Sequence, residues 1–549
     1  MGKLGIALDL GTSGFRGQAI DLDDSNKIIS TAITTRHPMP GANVIDHLHF
    51  ALEVGLETAH ETVMHAVNRV IDNLRIDKND VVRLAVCGNP IQLSLFREIE
   101  IRDLAYAGKR KLELLGVVPP KRDALVVKAS DITGLNLPSN IDILIPPAVR
   151  HEIGADALAM MIQSHALEKE EIAIVTDYGT NNEMSLIVEG QVYTGSTAAG
   201  PALEGQQIED GLLALPGAIS DVVYQGLGVD TGFQCFILDQ DMYPQMGDRV
   251  DPDSGKVLDK GELEAVGITG TGVVALISQG LNCGLISLPK INISNGEIKL
   301  ANGVKFTNHD VEEAGKAIGA VRAGHVTLCQ AAGIEMSQIE TAYMSGASGT
   351  YVDALKAQQI GMVPAGVKQI FQVGNTSLAM SRDMIASENA LWDMQKMATE
   401  LRQTHIMFAD SKVFAKVYIL ELAYWTEGMP WKAYQQFLKK YGFSPMQEVG
   451  DIPQVIKTVA RDIPDLGIMG LKIIPDIGER KEMLFDGCIG CGDCVEECPE
   501  DALFQKDDDT IVIDLALCDG VACMRCERAC PEKVFNLIKL LTSEAKSNQ

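Results

Sequence analysis

The chain has 549 residues, a formal net charge of −27 at pH 7 and a pI of about 4.8. This length is enough for about three or four domains with well-buried cores. The negative charge argues against a surface for nucleic acid or anionic membranes. Since the N-terminus lacks a secretory signal, and no apolar stretch reaches the roughly 20 residues of a membrane span, we expect a cytoplasmic protein.

The first predicted elements are a strand, a tight turn and a returning strand. Residues 4–8 are apolar, Gly11–Gly14 form the turn, and Phe15 begins the next strand. In such a turn, backbone N–H groups and hydroxyls can point at a phosphate, and an Asp at the strand end can hold Mg²⁺ or its waters. The residues predicted to do this are Asp9, Gly11, Thr12 and Ser13.

A second hairpin of the same plan follows a helix near residues 51–75, a strand at 81–87 and a short apolar run at 141–145. Its apolar strands, 172–176 and 183–188, flank a polar turn whose candidate residues are Asp177, Gly179, Thr180 and Asn181. One Asp-x-Gly-Thr turn is a weak signal. Two of them, each after an apolar strand, indicate duplicated subdomains that grip the phosphates of one nucleotide.

A glycine-rich turn is the third candidate element. Gly346 and Gly349 follow a short apolar strand and precede a predicted helix, which lets backbone approach a ligand closely. Taken alone, the turn is better explained as a plain strand–helix connection. Strands and helices alternate up to residue 425, which indicates α/β architecture. An amphipathic helix is predicted from Trp431 to about Lys440, and residues 442–480 are rich in Pro, Gly and Asp.

Eight of the 12 cysteines lie in two runs near the C-terminus. The first run has the C-x2-C-x2-C-x3-C-P spacing of bacterial ferredoxins, and the second has four residues between its first two cysteines. In two-cluster ferredoxins the fourth cysteine of each run binds the other cluster. We therefore expect cluster one to take Cys488, Cys491, Cys494 and Cys530, and cluster two to take Cys518, Cys523, Cys526 and Cys498.

Two [4Fe–4S] clusters are favoured over two alternatives. The longer spacing after Cys518 leaves open a [3Fe–4S] form of cluster two, although all four thiols are present. Zinc is disfavoured, because zinc ribbons usually space their C-x2-C pairs farther apart. His47 and His49 are predicted to be surface residues. The remaining cysteines are predicted to be small buried hydrophobes: Cys87, Cys235, Cys283 and Cys329.

The order and spacing of the three nucleotide elements resemble the actin/sugar-kinase/Hsp70 (ASKHA) superfamily. Its phosphate-1 motif matches Asp9–Ser13, its phosphate-2 motif matches Asp177–Asn181, and its adenosine motif matches Gly346–Gly349. The resemblance implies ATP in a cleft between two subdomains, with both aspartates positioning Mg²⁺ and the attacking water. It also implies that the phosphates are contacted by Thr12, Ser13, Thr180 and Asn181.

Further segments resemble the reductive activators of corrinoid-dependent enzymes: Gly200–Gly205, Gly267–Gly272, Gly346–Pro364 and Val373–Leu378. Most bacterial members carry an N-terminal [2Fe–2S] domain, whereas here the first element is the phosphate-1 strand and the cubane-type cysteines are C-terminal. That arrangement is similar to archaeal activators serving methylamine methyltransferases in methanogenesis. The resemblance implies ATP-dependent reduction of Co(II) to Co(I) in corrinoid proteins, using a low-potential electron donor. We expect the Gly200–Gly205 loop to face the corrinoid protein.

The predicted fold class is therefore α/β, a two-subdomain ASKHA ATPase with a C-terminal two-cluster ferredoxin domain of α+β type. The predicted domains are subdomain I at 1–165, subdomain II at 166–425, a connecting segment at 426–480 and the ferredoxin domain at 481–549.

Alternative functions stay open at this point. They are an ATP-driven activator of another low-potential enzyme, such as a radical dehydratase, a metabolite kinase with a regulatory iron–sulfur tail, and an ATP-switch scaffold. A kinase would require a general-base Asp near the acceptor hydroxyl, and the sequence identifies none with confidence.

Overall fold

The computed structural model divides into two compact units. The first unit consists of residues 1–155, 380–395 and 465–549, and the second of 156–379 and 396–464. The predicted domain boundaries after residues 165, 425 and 480 stay predictions. The structure describes residues 2–41, 43–106, 109–149, 153–179, 181–197, 207–212, 214–226, 228–402, 404–475, 477–506 and 509–543.

The strands of the described residues are, in chain order, β1 Leu4–Leu10, β2 Phe15–Asp21, β3 Lys27–Thr34, β4 Val81–Gly88, β5 Leu125–Lys128, β6 Asp142–Ile145, β7 Ala173–Asp177, β8 Asn182–Val188, β9 Gln191–Thr197, β10 Ala218–Gln225, β11 Gly232–Leu238, β12 Pro244–Val250, β13 Val257–Asp259, β14 Gly267–Ile268, β15 Ile286–Ser287, β16 Lys290–Ile291, β17 Glu297–Lys299, β18 Lys305–Thr307, β19 Thr341–Ser345, β20 Gln369–Gly374, β21 Gln454–Lys457, β22 Leu471–Ile474, β23 Arg480–Met483, β24 Leu503–Gln505 and β25 Ile511–Asp514.

The α-helices are α1 Val44–Val54, α2 Leu56–Asn73, α3 Pro90–Phe96, α4 Arg102–Ala105, α5 Lys109–Leu114, α6 Ala155–Gln163, α7 Gly270–Cys283, α8 Asn308–Ala332, α9 Gly346–Tyr351, α10 Ala354–Gln359, α11 Thr376–Ala386, α12 Asn389–Leu401, α13 Lys412–Trp425, α14 Trp431–Lys440, α15 Asp493–Glu496, α16 Arg525–Ala529 and α17 Leu537–Leu541.

A seven-stranded sheet in the order β22-β3-β2-β1-β4-β6-β5 forms the frame of the first unit. β1 is buried along its whole length, because it lies in the middle of the sheet between antiparallel β2 and parallel β4. The helices α1 and α2 lie between β3 and β4 in the chain. The sequence predicted a single helix here, but Gly55, at φ 94°, ends α1 before α2 begins.

The second unit contains a six-stranded sheet in the order β21-β20-β19-β7-β8-β9. Its run β9-β8-β7-β19-β20 has the same order and strand directions as β3-β2-β1-β4-β6 in the first unit. The duplication inferred from the two hairpins is therefore present in the fold. A five-stranded sheet, β13-β12-β11-β10-β14, and two short hairpins complete the strand pairing described in this unit.

The predicted connecting segment contributes regular structure to both units. α14 begins at Trp431 and ends at Lys440, as predicted, and buries Tyr434 and Leu438. β21 then pairs with β20, and β22 pairs with β3. Both are four-residue edge strands, too short for alternating polarity to reveal them in the sequence.

The C-terminal residues of the first unit form a small α+β segment. β23, β25 and β24 make an antiparallel sheet, and the short helices α15 and α16 each carry a buried cysteine, Cys494 and Cys526. The rings of Phe485 and Phe535 lie 5.0 Å apart. This packing gives the ferredoxin segment an apolar interior of its own.

The four cysteines outside the two runs are mostly buried. Cys87, Cys235 and Cys329 are buried, as predicted, and Cys283 is half-buried. Burial raises the pKa of Cys235 and of Cys329 to about 12, so both stay neutral thiols at neutral pH. Among the residues that the structure describes, no helix is both long and apolar enough to cross a membrane.

His47 corrects one sequence prediction. His49 is exposed, as predicted, but His47 is fully buried and its ring stacks on that of His37 with centroids 3.8 Å apart. Residues at positions 44, 47, 48 and 51 form the inner face of α1, so helical periodicity places His47 inside. Burial lowers the pKa of His47 to about 3, and burial together with His47 lowers the pKa of His37.

These two histidines should make the first unit sensitive to acid. Each is neutral when folded but binds a proton near pH 6.5 when unfolded, so the stability is present above pH 6.5 and is lost as the pH falls towards 3. The free energy of unfolding should fall by about 1.4 kcal/mol per pH unit for each histidine. Urea unfolding of the first unit between pH 7 and 5.5 measures this slope. His47→Gln should reduce it and His49→Gln should leave it unchanged; equal slopes in both variants would contradict the assignment.

Candidate functional site

The phosphate-1 hairpin, residues 9–16 of the first unit, places Asp9 at the end of β1. Asp9 is almost fully buried and stands opposite Arg16 in the β1–β2 register. The Arg16 guanidinium Nη1 lies 3.4 Å from Asp9 Oδ2. A buried carboxylate needs such a partner, and Arg16 places a positive charge where the phosphate motif is predicted. The sequence analysis missed Arg16; only its register opposite Asp9 identifies it.

Asn89 is a second residue that the sequence analysis missed. Its side-chain Nδ2 donates a hydrogen bond of 3.0 Å to Thr12 Oγ1, and its Oδ1 caps α3 by accepting from the backbone N–H groups of Ile91 and Gln92. Asn89 follows β4, which runs parallel to β1, so the carboxyl ends of both strands meet at this turn. The signal in the sequence is an Asn-Pro pair after a buried strand, typical of a helix N-terminus. Gly11 and Ser13 lie in the same turn, partly exposed.

The phosphate-2 hairpin, residues 177–182 of the second unit, meets the adenosine motif at the end of its sheet. Asp177 is the last residue of β7 and pairs with Ser345, the last residue of β19. Gly346 follows at φ 82°, and a Cβ placed there would lie 2.3 Å from Asp177 Oδ1. The structure therefore brings Asp177 and Gly346 together. Gly349 lies one turn further along α9.

Several buried polar groups near Asp177 lack a partner in the protein. Neither amide atom of Asn182 nor the Oγ of Ser345 makes a hydrogen bond, although both residues are fully buried. Such groups fit a site that receives a polar ligand or ordered water. Gly179 and Asn181 are partly exposed beside them. Thr180 and the loop Gly200–Gly205 lie outside the described residues.

Gly346→Ala should weaken the binding of Mg-ATP by at least about tenfold, because the methyl group would displace the Asp177 carboxylate. Gly333→Ala is the matched control: Gly333 also has a positive φ, 69°, but a Cβ there has no atom within 4 Å. Both variants carry the backbone strain of a positive φ, and only the first should lose affinity in a calorimetric titration. Unchanged Mg-ATP affinity in Gly346→Ala would contradict this site.

In the ferredoxin segment, the four cysteines predicted for cluster one line a common pocket. A pocket with apolar walls, including Phe485 and Val534, is lined by Cys488, Cys491, Cys494 and Cys530. Cys518 interacts electrostatically with Cys526 and Cys498, and Cys526 interacts with Cys523, Cys498 and also with Cys494 of the first set. No group of three or more His, Cys, Asp or Glu among the described residues could hold a single metal ion. The grouping supports both ligand sets, and the ligand assignments stay predictions.

The thiols differ in how readily they ionise. Burial, with smaller contributions from the other cysteines, raises the pKa of Cys494 to about 11 and of Cys518 and Cys526 to about 12. Burial would also raise the pKa of Cys530, but backbone N–H groups of residues 532–535 outweigh it and lower that pKa. The three buried thiols therefore keep their protons at neutral pH, while Cys530 is the most readily ionised of these four.

A curated protein from Methanosarcina barkeri, the Co(II) methylated amine-specific corrinoid protein reductase, is 48% identical over 500 residues, which is 91% of this chain and 91% of that protein. The chain belongs to the family of reductive activators of corrinoid proteins. The corrinoid activation enzyme RamQ of Eubacterium limosum, another relative, is 26% identical over 66% of this chain and 60% of its own length.

Three family models match most of the chain. Residues 4–169 match the RACo middle region, 171–435 match the C-terminal, ASKHA domain of RACo, and 487–534 match a 4Fe–4S dicluster domain. The solved structure of a reductive activator for corrinoid, iron-sulfur protein superposes with a TM-score of 0.63 at 23% identity, covering 77% of this chain and 66% of that one. The predicted fold class, ASKHA with a C-terminal ferredoxin domain, is confirmed, and so is the prediction of an iron–sulfur oxidoreductase in this family.

Proposed function

We propose that this protein reduces inactive Co(II) corrinoid proteins to the active Co(I) form in an ATP-dependent reaction. The observation that carries the proposal is that one compact unit contains both the hairpin that matches the phosphate-1 motif and the two cysteine runs. A nucleotide site and an electron path within one unit are what an ATP-gated reductase requires. The relative named for methylated amine corrinoid proteins supports methylamine methyltransferases as the systems served. The proposed place of the reaction is the cytoplasm.

The residues proposed to hold the nucleotide come from both hairpins. Asp9 and Asp177 would hold Mg²⁺ and orient the attacking water. The backbone and hydroxyls of the two turns, Gly11, Thr12, Ser13, Gly179, Thr180 and Asn181, would bind the phosphates, and Gly346 with Gly349 would let the adenosine approach the backbone. Arg16, next to Asp9, would balance part of the phosphate charge.

The eight cysteines are proposed to hold two [4Fe–4S] clusters, which supply one-electron transfer when bound. The pocket at Cys488, Cys491, Cys494 and Cys530 has apolar walls, and the N–H groups around Cys530 stabilise its thiolate. Reduction of Co(II) to Co(I) takes up one electron, and an external low-potential donor must replace that electron. Apolar surroundings and N–H donors are among the features that set such potentials.

ATP acts in this proposal through conformation. A nucleotide can favour one arrangement of the protein only if it binds that arrangement more tightly than the other. The duplicated subdomains, each with its own phosphate hairpin, allow such differential binding. The favoured arrangement would bind the Co(II) corrinoid protein and accept electrons from the external low-potential donor.

Anaerobic mixing tests the proposal directly. Reduced protein is combined with a Co(II) methylamine corrinoid protein, and Co(I) is followed by its absorbance with Mg-ATP, with Mg-ADP and without nucleotide. We expect Co(I) with Mg-ATP alone. Equal Co(I) in all three reactions would overturn the role of ATP, and no Co(I) in any of them would overturn the function.

A further inference from the structure

The second cysteine run is joined to the nucleotide-binding part of the same unit. Gly41, at φ 107°, donates its backbone N–H to the carbonyl of Cys518 at 2.9 Å. Two residues later in the run, a Cβ on buried Gly520 would lie 3.4 Å from Pro40 Cβ. The single helical turn Gly520–Ala522 also contacts α1. The second cysteine run is therefore attached through its backbone to the segment before α1.

The contacts with Pro40 and α1 are made by the extra residues of the second run. Its first spacing is four residues, Asp519–Ala522, against two in the first run, Ile489 and Gly490. Gly520 is buried in the contact, whereas Ile489 is 62% exposed. The two runs thus differ in surroundings as well as in spacing. Because of the insertion, the loop of the second run packs against Pro40, whereas the loop of the first run faces solvent.

The same segment reaches the phosphate-1 hairpin at its other end. Thr34 Oγ1 accepts the backbone N–H of Phe15 at 2.8 Å and donates to the carbonyl of Arg36 at 2.8 Å. The Phe15 ring packs edge-on against His37 at 5.1 Å, and His37 stacks on buried His47. We call residues 34–41 the bridging segment. It connects the hairpin to the Cys518 backbone through short, mostly buried contacts.

We propose that the insertion Asp519–Ala522 and the bridging segment couple the reduction potential of cluster two, and not of cluster one, to the nucleotide bound at the phosphate-1 hairpin. Thr34 is a positioning residue in this coupling. The inference rests on the proposed function, since it requires both the clusters and the ATP site. Phosphates add negative charge at the hairpin, and negative charge disfavours the extra electron of a reduced cluster, so Mg-ATP should lower the potential of cluster two. The electron taken up from the donor is then held less tightly and passes more readily to Co(II).

An EPR-monitored redox titration of the full chain tests the coupling. We expect Mg-ATP to reduce the reduced-to-oxidised ratio of cluster two at fixed potential by about tenfold, which corresponds to about 59 mV for one electron, and to leave cluster one unchanged. The signals are assigned with Cys523→Ser and Cys491→Ser, which remove one predicted ligand from cluster two and cluster one, respectively. Equal shifts in both clusters, or no shift in cluster two, would overturn the inference.

Thr34→Val removes both hydrogen bonds of the Thr34 hydroxyl with little change in shape. It should keep its iron content and its affinity for Mg-ATP but lose the shift of cluster two. Thr35→Val is the matched control, because Thr35 Oγ1 donates instead to the carbonyl of Pro475; it should retain the shift. A Thr34→Val protein that retains the full shift would overturn the role of Thr34.

Amide hydrogen exchange of the unmodified protein gives a test that needs no variant. Mg-ATP should slow exchange in peptides covering residues 36–41 and 517–523, which contain both sides of the Gly41–Cys518 hydrogen bond. Unchanged exchange there would count against the coupling. If the protein forms Co(I) with ATP while cluster two does not shift, this inference fails alone; if Co(I) does not form, the proposed function fails.

Discussion

Replacing Cys498 with Ser should remove the signal of cluster two, although Cys498 belongs to the first cysteine run. The thiols of Cys518 and Cys526 both interact electrostatically with Cys498, which supports the prediction that Cys498 binds the second cluster. Co(I) formation should fall by at least about 100-fold, because even outer partners of metal ligands typically cost 10- to 100-fold in activity. Iron content, EPR of the reduced protein and the Co(I) assay measure the loss.

Four variants of the predicted ligands test whether the fourth cysteine of each run binds the other cluster. Cys498→Ser and Cys523→Ser should lose one and the same EPR signal, whereas Cys530→Ser and Cys491→Ser should lose the other. Cys283→Ser, a half-buried cysteine outside both runs, should keep both signals. If Cys498→Ser instead shares its loss with Cys491→Ser, each run binds its own cluster and the crossed assignment is wrong.

Asp9→Asn should lower ATP hydrolysis by about 100-fold or more, the scale on which positioned acid–base groups act. The substitution keeps the shape of the side chain but removes the charge that is proposed to hold Mg²⁺, and it leaves Arg16 without its carboxylate partner. Phosphate release and ATP-dependent Co(I) formation should fall together, because the proposed reductase uses the same site for both.

Asp21→Asn is the control for this prediction. Asp21 ends the neighbouring strand β2, where its carboxylate accepts backbone N–H groups of Asp23 and Asp24 near the surface. It should keep normal hydrolysis, and both variants should keep their iron content. Normal ATP hydrolysis in Asp9→Asn would exclude Asp9 from the proposed site.

The sequence predicted the elements whose signals are local. The strand before Asp9, the hairpin around Asp177 and the helix Trp431–Lys440 are each defined by neighbouring residues, and the structure contains all three. The spacing of the cysteine runs is equally local. These signals were sufficient for the fold class and for the family.

Contacts between residues distant in sequence were not predictable. Asn89 reaches Thr12 only because β1 and β4 are parallel neighbours, and Gly41 reaches Cys518 across more than four hundred residues of chain. His47 was misassigned because its burial depends on which face of α1 packs inward. Such contacts depend on tertiary packing, which a single sequence does not report.

The first unit is built from segments that lie far apart in the chain, so its parts are synthesised at different times. Its opening sheet is bordered by β22, which pairs with β3 although residues 471–474 are made long after residues 27–34. During translation the N-terminal strands therefore emerge from the ribosome before β22 has been made. The whole second unit also emerges before β22. The eight cysteines come later still. The proposed iron sites can accordingly be completed only after the strands of both units have been made.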